Sequence, residues 1–297
     1  METPHTTTPE VIAKQPSTEH GTRRSKIAQK LGATLLMLPL TAGLTSDTSP
    51  PKTTIVHSPK AEVLNSDTIT VMSANVHGWR TSDDKPGFTI FMNTLKTQQP
   101  DVVCGNEIIN DPTKIKAITG DGYSGIFVRT KLQGMGESFG NTVYSKSPIR
   151  LKDVVSLPEP ETNEPRNAIV AEIKTTRGWL ELTCSHLSIQ RSEAEMQIRK
   201  LNREVQDSSQ IVVGDFNGRR PVEINTSVGR SAVSSGTFAS FISETDPIPT
   251  FPSGLEILAL DEAVSRCSEV KKQSLYDIGS DHSGLIVEFD ISTCDYS

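Results

Sequence analysis

Five short polar motifs punctuate the chain between Ile69 and Phe289, each at the end of an apolar run: VMSANVHGW, VVCGNEI, LTCSHLS, IVVGDFNG and GSDHSGLIVEF. They carry Asn75, His77, Glu107, His186, Asp215, Asn217, Asp281 and His282 to what should be strand tips. Carboxylates there can hold a cation or activate a water, imidazoles can move protons, and amides can hold oxygens in place. Delivered from several strands, these groups are the parts of a metal-assisted hydrolytic site.

Each part also has an ordinary explanation. Asp215 and Asn217, at i and i+2 past a buried strand, can point the same way, but Asp-x-Asn is equally a turn that satisfies its own backbone. The Asp281-His282 pair resembles half of an acid–base device, in which a carboxylate steadies an imidazolium; as a loop dipeptide it is commonplace. Alone, Glu107 is a solvated strand end, Asn75 and His77 are turn formers, and His186 is a hydrogen-bonded core histidine. Their order along the chain, each after a strand-like run, is what sets them apart.

The elements that must position them follow from periodicity. Apolar or alternating runs predict strands at Ile69–Ala74, Asp101–Gly105, Gly140–Tyr144, Arg166–Lys174, Trp179–Ser185, Gln210–Asp215 and Leu285–Phe289. Gln210–Asp215 is almost continuously apolar, which implies burial on both faces. Phe88, Phe91, Met92 and Leu95 mark a helix ending before Pro100, with Thr81–Asp84 supplying capping side chains. Ala194, Ile198, Leu201 and Val205 mark a second helix over Ser192–Val205. Helices alternate with strands early and strand pairs follow later, so the class is α/β with more than one mixed sheet. No Gly-rich nucleotide loop is present.

At 297 residues, with 35 % hydrophobic and 22 % charged residues, the chain has the make-up of a globular protein with a sizeable core. Residues 1–46 read as an export signal or signal anchor: Arg23, Arg24 and Lys26 precede an apolar stretch, Leu31 to Leu44, too short to span a bilayer. Residues 47–66 read as a disordered linker, 67–291 as the folded domain and 292–297 as a tail. The leader holds five basic and three acidic residues, leaving 25 and 33 in residues 47–297, a net of −8. Such a domain lacks the broad positive field of a tight, non-specific duplex binder. Cys104 and Cys184 lie inside strand-like runs and read as small buried hydrophobes. Cys267 and Cys294 lie outside them and can pair in an exported protein.

Taken together, Asn75, Glu107, Ser185-His186-Leu187, Gly214-Asp215-Phe216-Asn217 and Ser280-Asp281-His282 resemble the endonuclease/exonuclease/phosphatase superfamily of metal-dependent phosphoesterases. The resemblance covers nearly the whole domain. It implies a four-layer α/β sandwich, two mixed β-sheets face to face and flanked by helices, with the site at one sheet edge. It implies Mg²⁺ held by Glu107 with Asn75 and Asp281; Mn²⁺ or Ca²⁺ would accept the same oxygen ligands. His186, Asp215, Asn217, Asp261 and His282 are the implied catalytic residues, and Asn75, Arg166 and Asn217 the implied substrate contacts. Asp261 departs from the common pattern, being followed by Glu262-Ala263-Val264 instead of an aromatic-rich strand. The expected activity is hydrolysis of phosphodiester bonds by an exported nuclease or general phosphodiesterase, with DNA or RNA as candidate substrate. A phospholipid or a small phosphate ester is the alternative, and a non-catalytic binding protein a further one. Trp79, Arg80, Lys85, Arg219 and Arg220 are the basic and aromatic residues beside the motifs that could meet a nucleic-acid strand. No obligate protein partner is evident, and a monomer is expected.

Overall fold

The computed structural model describes residues 52–133, 137–159, 162, 164–205, 211–217, 243–244, 249–253, 260–265, 267 and 270–297. The expected leader, Arg219 and Arg220 lie outside them. No helix among the described residues is long and apolar enough to cross a membrane.

Seven strands form the first sheet: β1 (Thr53–Val56), β2 (Thr68–Asn75), β3 (Val102–Ile109), β4 (Ser124–Gln133), β5 (Glu137–Ser145), β12 (Val270–Asp277) and β13 (Ser283–Asp290), in the order β1-β4-β5-β3-β2-β13-β12. Six form the second: β6 (Ile149–Leu157), β7 (Arg166–Thr175), β8 (Gly178–His186), β9 (Ile211–Asp215), β10 (Ser243–Glu244) and β11 (Asp261–Ser265), in the order β10-β11-β9-β8-β7-β6. Both are mixed: β2 and β3 are parallel, β8 and β9 are parallel, and the other pairings are antiparallel.

The pleat decides the layers. Val71, Val102, Cys104, Val143, Ala171, Leu182, Val213 and Leu285 point between the sheets and form one continuous core. Their neighbours Met72, Val103, Tyr144 and Ile286 point the other way, onto Phe91, Met92 and Leu95 of helix α1 (Phe88–Gln98) and Ile118 of α2 (Pro112–Gly120). Val170, Val212 and Val264 face outward from the second sheet onto Ala194, Ile198, Leu201 and Val205 of α3 (Arg191–Val205). The result is the four-layer sandwich, helices outside and two mixed sheets face to face. All five residues of β9 are buried, as its unbroken apolar run requires.

Four expectations change. β1, within the segment expected as a linker, pairs with β4, and Thr53–Val56 extends the sheet to a new edge. In the expected tail, Trp179 and Ser297 exchange backbone hydrogen bonds and Cys294 is bonded to Cys267. Thr81–Asp84 does not cap α1, whose N-cap is Gly87 with no side-chain bond. Thr81 is spent closing its own loop, its amide donating to the Lys85 carbonyl at 2.8 Å. The fourth change concerns Cys104 and Cys184, which form a disulfide. Both occupy inward positions on facing sheets, a proximity that their 80-residue separation hides.

Because the Cys104–Cys184 bond is fully buried and ties β3 to β8, the paired change Cys104→Ala with Cys184→Ala should cost about 2–5 kcal/mol in chemical denaturation. A loss under about 0.5 kcal/mol would mean that the apolar core alone holds the sheets in register.

Candidate active site

Strand direction brings the motifs to one edge. β2 and β3 run parallel with Asn75 beside Asn106; β8 and β9 run parallel with His186 beside Asp215. β11 starts at that same edge, Asp261 opposite Asp215, and β13 starts there just after His282. Gly214 permits the approach: its φ of 148° disfavours a side chain, and a Cβ would lie 1.9 Å from the Ser185 carbonyl oxygen.

Asp215 is the centre, 1 % exposed. Its Oδ1 accepts the Asn217 backbone N–H at 2.8 Å, so the Asx turn is real. Its Oδ2 accepts Asn75 Nδ2 at 2.9 Å and faces His186 Nε2 at 3.5 Å and His282 Nε2 at 3.9 Å, so the turn and the side-chain cluster coexist. The Asn75 amide also donates to Glu107 Oε1 at 3.1 Å. Asn217 turns its amide to the Leu187 carbonyl at 2.8 Å, pinning the turn to the end of β8.

The carboxylate that orients His282 is Asp261, not the adjacent Asp281. His282 Nδ1 lies 2.8 Å from Asp261 Oδ2, while Ser73 donates to Asp261 Oδ1 at 2.9 Å. Asp281 faces His77 Nδ1 at 3.4 Å instead. Neighbours in sequence diverge here because the backbone turns into β13 between them.

Burial opposes charge on His282, but the Asp261 carboxylate outweighs it and raises the imidazole from 6.5 to about 10. Burial, reinforced by Asp261, lifts Asp215 from 3.8 to about 7. His186 goes the other way: burial and the adjacent Arg166 cation push it well below 6.5. The site therefore pairs a charged histidine and a neutral one around a carboxylate of near-neutral pKa.

A protein-family model for the endonuclease/exonuclease/phosphatase family matches residues 72–282, the span that holds all of these groups. The chain belongs to that family. Solved structures agree on the fold. An endonuclease/exonuclease/phosphatase from Beutenbergia cavernae aligns with a TM-score of 0.62 at 18 % identity, over 75 % of this chain and 71 % of that one. D. rerio TDP2 complexed with a single-strand DNA product gives 0.57 at 18 %, over 75 % and 99 %. The human Nocturnin catalytic domain with a bound sulfate gives 0.54 at 16 %, over 82 % and 98 %. Comparison with curated protein sequences finds no match.

Members of this family commonly use a divalent metal, and the donor set here suits a hard one. Glu107 and Asp281 carry part-exposed carboxylates that both face His77 Nδ1, at 3.8 and 3.4 Å. Glu107 sits at a break in the β3–β5 register with φ 56°, a left-handed conformation that turns it off the strand. Among the described residues, no group of three His, Cys, Asp or Glu is arranged to hold an ion. Glu107 and Asp281 would be the carboxylates to hold one. Asn75, expected as a ligand, turns its amide nitrogen to the two carboxylates, and its Oδ1 accepts the His77 N–H at 3.1 Å, so it orients them.

All nine expected site residues converge, Arg166 through His186 and Asp281 through His77. Others escaped the sequence reading. Asn106 Oδ1 accepts the Asp215 N–H at 3.1 Å, and its amide begins a buried chain to Asn141 and on to Asn167, crossing from one sheet to the other. Phe251 lies 5.0 Å from the His282 ring. Trp79 is a correction: it is buried, donates to the Ile109 carbonyl and packs edge-on against Phe88 and Phe91, so it is core and not a strand contact. Arg80 is exposed but bonded to Asp84.

The shifts fix a sign for stability. His282, raised to about 10 in the folded state, contributes stability that is complete below pH 6.5 and lost as pH rises through about 10. Asp215, raised to about 7, likewise favours folding when protonated, and that contribution is lost as pH rises through about 7. Unfolding free energy should therefore fall with rising pH, and Asp261→Asn, which removes the cause common to both shifts, should flatten the decline. Denaturant titrations at intervals from pH 5 to 10 check it; parallel curves for variant and wild type would contradict the coupling.

Proposed function

We propose that the protein is an exported, divalent-metal-dependent phosphodiesterase acting on nucleic acid. The observation that carries the reading is the arrangement of Asp215, His186 and His282–Asp261 around one small volume, with Glu107 and Asp281 beside it. A phosphodiester resists attack because its phosphorus is screened by negative charge and its leaving oxygen is poor. A bound hard cation, Mg²⁺ first and Mn²⁺ or Ca²⁺ as alternatives, would neutralise charge on the phosphate.

The chain's own residues supply the rest. Asp215, whose pKa of about 7 suits a base, takes a proton from the attacking water while the water oxygen bonds to phosphorus. The bond from phosphorus to the ester oxygen breaks, and the departing oxygen receives the His282 proton. His186 offers an N–H to the developing charge, and Asn75 keeps the Asp215 and Glu107 carboxylates aligned. Protons balance: one leaves water for Asp215 and one leaves His282 for the product.

Nucleic acid is favoured over other esters by the likeness to TDP2 solved with a single-strand DNA product, and the sulfate on Nocturnin is an anion of phosphate shape. Export is supported by the two disulfides, which account for all four cysteines and belong to an oxidising compartment.

Nicking of supercoiled plasmid by the full chain, with Mg²⁺ and with chelator, tests the reading. Metal-dependent nicking should fall by at least ~10²-fold in Asp215→Asn and in His282→Ala. Glu107→Gln should shift the Mg²⁺ titration to higher concentration. Folded protein that cleaves a chromogenic phosphodiester but no nucleic acid would overturn the substrate. Protein that cleaves neither would overturn the activity.

A further inference from the structure

The terminal nitrogens of Arg166 are committed to protein partners. The residue begins β7, and its side chain is 8 % exposed. Nη2 donates to Glu164 Oε2 at 2.8 Å, and Glu164 is in turn paired with Lys131. Nη1 lies 2.6 Å from His186 Nδ1. A guanidinium has only hydrogens to offer, so Nδ1 must be the bare, accepting nitrogen and the ring proton must sit on Nε2. Nε2 is the atom that faces Asp215 Oδ2 at 3.5 Å and Glu107 Oε1 at 4.0 Å.

We propose that Arg166 is a positioning residue that fixes His186 as the Nε2–H tautomer, so that this histidine presents an N–H and never a lone pair to the substrate phosphate. Several features of the surroundings favour this role. His186 is buried at the tip of β8, and the Lys131–Glu164 pair holds the guanidinium from behind. A lone pair at Nε2 would instead face two carboxylates and the phosphate, repelling all three. The arrangement also divides labour between the histidines: His282 is anchored through Nδ1–H to a carboxylate and can release a proton, whereas His186 is anchored through a bare Nδ1 to a cation and can only donate a hydrogen bond.

The catalytic consequence rests on the phosphodiesterase reading, but the tautomer does not, and the two are measured separately. Long-range ¹H–¹⁵N correlation of the full chain reads the tautomer of each imidazole, with His186 assigned as the signal lost in His186→Asn. The wild type should show a protonated Nε2 and a bare Nδ1 for His186. Arg166→Lys, which keeps a donor, should retain that form, and Arg166→Met should shift it towards Nδ1–H. In nicking assays Arg166→Met should lower kcat by about 10²-fold, the cost of losing one well-aimed donor, with KM changing by less than about 3-fold. A wild-type spectrum with Nδ1 protonated overturns the proposal even if neither variant folds. So does an Arg166→Met protein that keeps the Nε2–H form, or one whose defect lies in KM alone, as a phosphate clamp would give. If the wild type cleaves no phosphodiester, the functional reading falls and the spectrum still decides the tautomer.

Discussion

The carboxylate of Asp215 is buried between two sheets, and the surroundings are organised around keeping it there. An isolated buried carboxylate would neutralise itself at a cost of several kcal/mol. Here the opposing groups come from both sheets: the Asn217 amide from its own turn, the Asn75 amide from β2, the His282 cation from the entry to β13. Even together they do not offset burial and the neighbouring Asp261 carboxylate, so Asp215 is still lifted to about 7. That partial compensation is what leaves a carboxylate able to exchange a proton near neutral pH. The same geometry needs the sheets in fixed register, and the links among the described residues that cross between them at this edge include Asn75 to Asp215, Asn106 to Asp215, Ser73 to Asp261, Asn141 to Asn167, and the Cys104–Cys184 bond just below.

Left-handed backbone is concentrated in the same place. His77, Gly78, Trp79, Glu107 and Asn217 all have φ between 45° and 69°. For non-glycine residues this conformation is unfavourable and persists only where contacts enforce it. At Trp79 the enforcement is a buried indole bonded to Ile109; at Asn217 it is the amide held by Leu187. At Glu107 the β3 ladder is interrupted, and Ile108 resumes pairing with Gly140 beyond it. The fold thus turns the Glu107 carboxylate off the regular pleat of the strand.

What the sequence revealed follows from what its signals measure. Period-2 and unbroken apolar runs located β2, β3, β5, β7, β8, β9 and β13, because those strands have well-defined inner faces. β1, β4, β6, β11 and β12 were not seen, since β6 and β12 carry an exposed or mixed face and β11 is a short DEAVS stretch whose Asp and Glu are buried only by tertiary contact. α2 was not expected either, although Asp111-Pro112 carried its signal, a cap followed by proline at the first turn: Asp111 accepts the Thr113 N–H at 2.8 Å. Residue types found the site; pairings within it were beyond reach. Asp281 was the natural partner for His282 by adjacency, and Asp261 supplied the bond, because spacing along a chain says nothing about what faces what across an edge.

The pairing of each histidine with its anchor decides its chemistry more than its own identity does. His282 and His186 sit on either side of one carboxylate oxygen, at 3.9 and 3.5 Å, and both are nearly buried. Burial alone would push both towards the neutral form. Asp261 reverses that for His282, whereas Arg166 reinforces it for His186. Exchanging the anchors would exchange the charge states: a carboxylate behind His186 would favour its imidazolium, and a guanidinium behind His282 would disfavour one. Two identical side chains thus take opposite charge states through the residues behind them, and a search by motif alone passes over those residues.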